Sequence, residues 1–174
     1  MGALIAGLAI WSCAHWFRRV FPDARARLSD DKARGLVSVA VIASIALMII
    51  GVRGADHVYL YTPLPHMGWV TFALMIASFY FFTLPHLPGR FAGLVRHNML
   101  TGLLLWAVGH LLVNGDLVSV SLFGWMSVHA VVSMWLINWR TTWERPAPGP
   151  LHNDLLNLAG VALTMAAGVV VHHW

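Results

Sequence analysis

The chain has 174 residues, 59% hydrophobic and only 10% charged, with a mean hydropathy of +0.71. A soluble domain carries about a quarter charged residues, so this composition excludes an ordinary soluble enzyme and points to an integral membrane protein whose main partner is the lipid bilayer. The single cysteine, Cys13, excludes an internal disulfide or a thiolate metal cluster, and the net charge of +4 has a topological source rather than a nucleic-acid partner.

In chain order, six apolar segments run over roughly 2–17, 36–52, 67–87, 99–114, 117–138 and 153–172. Lipid cannot satisfy an open backbone, so each segment is expected to be helical. The expected fold is an all-α, polytopic membrane helical bundle of about six transmembrane helices, forming one domain over residues 1–174. The first segment has no basic residue before its apolar run, no A-x-A site, and Arg18-Arg19 on its C-terminal side, which reads as a retained helix rather than a signal peptide.

The basic residues orient the bundle. Arg18, Arg19, Arg25, Arg27, Lys32 and Arg34 follow the first segment, Arg90 and Arg96 follow the third, and Arg140 and Arg145 follow the fifth. Ten of the eleven basic residues therefore share one face, with Arg53 alone opposite. The positive-inside rule assigns that face to the cytoplasm and both termini to the periplasm. Trp16, Trp139 and Trp143 are expected in the inner aromatic belt, and Trp69 and Trp174 in the outer one.

The fourth segment opens with Arg96-His97 and closes on Asn114-Gly115-Asp116, a tight-turn signal. Asp116 is expected to cap the fifth helix through the amide of Val118 or Ser119, making the fourth and fifth helices an antiparallel hairpin. Gly102 and Gly109 share one stripe, where small residues let another helix approach closely. That stripe suits an internal contact or a homo-oligomer.

His57, His66, His86, His152, His172 and His173 fall in loops or at helix ends and read as solvated or interfacial. His15, His97, His110 and His129 do not. Trp11 precedes His15 by four residues, Trp106 precedes His110 and Trp125 precedes His129. With 9 tryptophans and 10 histidines in 174 residues, chance gives about half of one such pair, and residues four apart share a helix face. Each pair presents an imidazole beside an aromatic wall, which suits a flat apolar ligand held through a metal, haem above all. The competing reading is three histidines each bonded to a neighbouring helix.

His97 and His110 are too far out of phase on one helix to serve one site, which leaves His97 to the interface. At ~1.5 Å per residue from the cytoplasmic boundary, His110 lies ~18 Å deep, His129 ~15 Å and His15 ~5–10 Å. Depth alone pairs His110 with His129.

Arg96-His97, Gly102, Leu105-Trp106-Ala107, His110-Leu111-Leu112 and Asn114-Gly115-Asp116, together with His15 ahead of a basic cluster, resemble the NnrU family. The resemblance spans nearly the whole chain. It implies a multi-pass protein of the bacterial inner membrane, associated with nitrite and nitric oxide reductase expression in denitrification. That family is similar to plant zeta-carotene isomerase, which binds haem b, and this implies His15 and His110 as axial ligands. Arg18, Arg19 and Arg96 are then candidate partners for the haem propionates, since guanidinium pairs bidentately with carboxylate.

The chain departs from the pattern at Asn98, where the family has proline, and at Ala107, where the isomerase has cysteine. The second departure removes any thiolate ligand switch. Three functional classes stay open: a haem protein of nitrogen-oxide metabolism that takes nitric oxide, a haem-dependent isomerase of an apolar polyene, and a cofactor-free scaffold. The sites expected are His110 with His15, His129 as rival, and the walls Trp106 and Trp11.

Overall fold

A computed structural model describes residues 1–56 and 58–172. His57, His173 and Trp174, with the outer-belt role expected of Trp174, lie outside the described residues. Seven helices make up the described fold, with no strand among the described residues: α1 Gly2–Val20, α2 Pro22–Ala26, α3 Asp30–Arg53, α4 Met67–Thr83, α5 Asn98–Leu111, α6 Leu117–Arg140 and α7 Leu151–His172.

Six of these match the six apolar segments, and α2 is an addition. Pro22 at its first position cannot continue α1 but is preset to begin a helix. The α3 helix starts six residues earlier than its apolar run. Ser29 caps it through the amide of Lys32, and Asp30 and Asp31 sit in its first turn, where the helix dipole favours acids.

Three described helices are long and apolar enough to cross a membrane: Asp30–Arg53, Leu117–Arg140 and Leu151–Val170. Met67–Thr83 and Asn98–Leu111 are apolar but shorter. At 1.5 Å per residue, the 14 residues of α5 rise about 21 Å, less than a ~30 Å hydrocarbon core.

The helices neighbour one another in the order α3, α1, α6, α5, α4, α7. Close approach falls at glycines. A Cβ on Gly7 of α1 would meet the Ser44 carbonyl at 2.7 Å and Met48 of α3 at 2.9 Å. On Gly102 of α5 it would meet the Ser78 carbonyl of α4 at 2.9 Å, and Gly109 packs on Met75. The small-residue stripe of α5 therefore serves an internal contact. Ser78 Oγ donates to the Gly102 carbonyl (2.7 Å) and Thr71 Oγ1 to the Gly109 carbonyl (2.8 Å), completing the seam.

Asp116 caps α6 as expected, its Oδ1 accepting the amides of Val118 (3.1 Å) and Ser119 (3.0 Å). The 58–61 stretch clasps this hairpin turn. Leu60 N donates to the Gly115 carbonyl (2.7 Å), Leu117 N to the Val58 carbonyl (2.8 Å), and the Tyr61 hydroxyl to the carbonyls of Leu111 and Asn114. The core joins Leu4, Leu8, Met48, Ala107, Val118, Phe123 and Met126, with Trp11 and Trp106 packed against it.

Candidate functional site

Two of the three Trp–His pairs share one local geometry. His15 Nδ1 lies 2.8 Å from the Trp11 carbonyl, and His110 Nδ1 lies 2.8 Å from the Trp106 carbonyl. A carbonyl only accepts, so Nδ1 carries a proton in each ring, and in the neutral form the lone pair is on Nε2. Donation of the remote N–H to a backbone carbonyl is also how metal-ligating histidines are commonly oriented. The tryptophan walls are present: the Trp11 and His15 ring centres are 4.3 Å apart, those of Trp106 and His110 5.0 Å. Phe123 stacks on His110 at 4.4 Å, with 20° between planes.

The third pair is built differently. His129 is buried in the α1–α6 seam, its Nδ1 3.0 Å from Ser12 Oγ and its Nε2 3.5 Å from Ser133 Oγ. The Trp125 indole N–H donates to the same Ser12 oxygen at 2.9 Å, and Trp16 Nε1 donates to Ser133 at 2.8 Å. Trp16 stacks on His129 at 5.1 Å. Trp16 was expected in the inner aromatic belt. It turns inward instead, because α1 and α6 supply a stacking face and an acceptor there.

The histidines divide between two cavities. His110 and Trp106 line one of about 600 Å³ among α4, α5, α6 and α7, whose walls include Met75, Phe79, Phe123 and Met165. His15 lines one of about 930 Å³ at the ends of α1, α2 and α3, together with Arg18, Arg19, Arg25 and Arg34.

The parallel register of α1 and α6, with Ser12 facing His129 and Trp16 facing Ser133, sets the separation at a constant 117 positions. It puts Phe123, the stacking partner of His110, level with residue 6 of α1. That is nine residues, or ~13 Å of helix rise, from His15. The structure thus gathers His15, Trp11, Trp16 and His129 at one level, and His110, Trp106 and Phe123 at another.

Trp11 Nε1 is buried and has no hydrogen-bond partner among the described residues. Among the described residues, no group of three or more His, Cys, Asp or Glu side chains converges to hold a metal ion. Arg96 is engaged elsewhere. Its Nη2 donates to the Thr141 carbonyl (2.8 Å) and hydroxyl (2.5 Å) and to the Thr142 carbonyl (3.3 Å), while His97 Nε2 pairs with Asn138 Oδ1 (2.9 Å). Arg96 and His97 together tie the start of α5 to the end of α6.

Sequence reading missed Asp154. This buried carboxylate on α7 accepts the Tyr80 hydroxyl and the Arg90 amide (2.7 Å), and Gly89 packs so closely on it that no side chain would fit. Asn153 and Asn157 of the same helix donate to the carbonyls of Pro88 and Leu87, at 2.8 and 2.9 Å. The available signal was an Asn-Asp-x-x-Asn run at the head of an apolar segment, too polar for lipid contact.

No curated protein and no solved structure matches the chain. The family model described as NnrU protein matches residues 3–174, nearly its whole length.

Proposed function

The chain belongs to the NnrU family, and from that premise we propose that it is a multi-pass protein of the bacterial inner membrane that binds haem b and serves nitrogen-oxide metabolism. In this reading the six helices that match the apolar segments lie across the bilayer, the shorter α4 and α5 among them, with both termini periplasmic, which the one-sided distribution of arginine and lysine supports. The observation that carries the haem assignment is His110: an imidazole of fixed tautomer, braced by Trp106 and Phe123, on a mostly apolar cavity of about 600 Å³.

The residues fit the group. Met75, Phe79, Trp106 and Phe123 line the cavity with the apolar and aromatic surface that a flat macrocycle needs, and the imidazole of His110 is the type of group that holds haem iron. Haem, when bound, would supply redox and small-ligand chemistry, with nitric oxide as a suitable ligand. The chain's own contribution is orientation, through the Trp106 carbonyl, and exclusion of water by the apolar walls. His15 has the same tautomer and is the second ligand implied by the family resemblance, although it lines the neighbouring basic cavity.

Titration of the purified protein with haem b tests this. A Soret band is expected, lost in His110→Ala and retained in His129→Ala; His15→Ala reports whether a second histidine joins. Full haem retention in His110→Ala would reject the assignment. Turnover of a cis polyene by the loaded protein would favour the isomerase, and a protein colourless after haem addition would favour the scaffold.

A further inference from the structure

The basic cavity at the cytoplasmic ends of α1, α2 and α3 adjoins an apolar groove of about 310 Å³ between α1 and α3, with Ala14, Phe17 and Val37 lining both. The groove is walled by Ile10, Cys13, Leu36 and Ala40. In the basic cavity Asp30 neutralises Arg25, with Nη2 and Oδ1 2.5 Å apart. Asp30 also acts on Arg34 and Arg18 at longer range, but among the described residues no acidic side chain forms an ion pair with Arg18, Arg19 or Arg34. Three guanidinium groups around one cavity, beside an oily trough along the helices, match an amphiphile with an anionic head.

We propose that these two adjoining cavities bind one anionic phospholipid of the surrounding membrane, its phosphate among Arg18, Arg19 and Arg34 and one acyl chain along the α1–α3 groove. Guanidinium presents paired donors that fit phosphate oxygens, and basic pockets between helices on the cytoplasmic side suit such head groups. A zwitterionic lipid carries its own cation and gains little from the three arginines. The assignment does not rest on haem binding, because His110 lines a different cavity.

Native mass spectrometry of the full-length protein, with phosphatidylglycerol against phosphatidylcholine, tests it. Phosphatidylglycerol is expected to bind at least about tenfold more tightly, and the double variant R18Q/R34Q to weaken it about thirtyfold. R34Q alone gives about a fivefold loss if the double variant folds poorly. Ala40→Trp, which fills the groove, is expected to lower phosphatidylglycerol binding as well. Arg27→Gln, outside the cavity, stays within about twofold.

Equal affinity for the two lipids would overturn the proposal, as would an Arg27→Gln loss equal to that of R34Q. Displacement of the lipid by equimolar inorganic phosphate would reduce the site to one for a free anion. Loss of haem absorbance in R18Q/R34Q would return the arginines to the carboxylates of the cofactor.

Discussion

Asp154 and Gly89 are built around each other: the carboxylate occupies the space a side chain at Gly89 would need, and it takes the amide of the next residue, Arg90, at 2.7 Å. Removing the acid as Asp154→Ala orphans the Tyr80 hydroxyl and that amide and is expected to lower the thermal unfolding midpoint by several degrees. Tyr80→Phe costs less, because it removes a single bond. Gly89→Ala is expected to cost as much as Asp154→Ala, and the double change less than the sum, since both disrupt one contact. Additive losses in a double-mutant cycle would contradict this.

His129 and His110 should separate stability from ligand binding. His129→Ala leaves the Ser12 and Ser133 hydroxyls short of a partner inside the α1–α6 seam, an expected loss of about 1–3 kcal/mol. Its haem absorbance should match that of the unmodified protein. His110→Ala should show the opposite pattern, with its largest effect on absorbance. Chemical denaturation and haem titration of the same two preparations check both expectations.

Glycines divide by what faces them. Gly7→Ala pushes a methyl against the Ser44 carbonyl and Met48 and is expected to cost about 1–3 kcal/mol. Beyond its own helix backbone, no atom of the described residues lies within 4 Å of a Cβ added at Gly124 of α6, so Gly124→Ala is expected to stabilise by about 0.5–1 kcal/mol through helix propensity. Equal effects of the two changes in thermal denaturation would refute the close approach of α1 and α3.

Arg96→Gln tests whether this arginine serves a cofactor or the fold. Its guanidinium is already engaged by Thr141 and Thr142, so the expected outcome is a loss of about 1 kcal/mol with unchanged haem affinity. A drop in haem affinity without loss of stability would assign it to a propionate.

Much of the fold was readable because lipid leaves the chain few choices. Apolar runs became helices, Asp116 became a cap through the two amides expected, and the Gly102–Gly109 stripe became a packing surface. Boundaries drifted where polar caps extend helices beyond their oily stretch, as at Ser29 and Asp30. For the candidate site, the i to i+4 spacing predicted that Trp11 would wall His15 and Trp106 would wall His110, and both do. The same spacing misled at Trp125 and His129, because a serine on another helix redirects the indole and faces the imidazole. Contacts of that kind are set by which helices become neighbours, and spacing within one helix is silent on it. Asp154 went unnoticed for the same reason, since its partners are 64 and 74 positions away.

The offset of 117 positions between α1 and α6 also sets a schedule for biosynthesis. A ribosome adding roughly 5–20 residues per second leaves the first helix on the order of ten seconds without the hydroxyl of Ser133 or the ring of His129. During that interval Ser12 and Trp16 must find interim company, and α3, whose Ser44 and Met48 reach Gly7 after a much shorter stretch of chain, is the earliest chaperone the chain provides for itself.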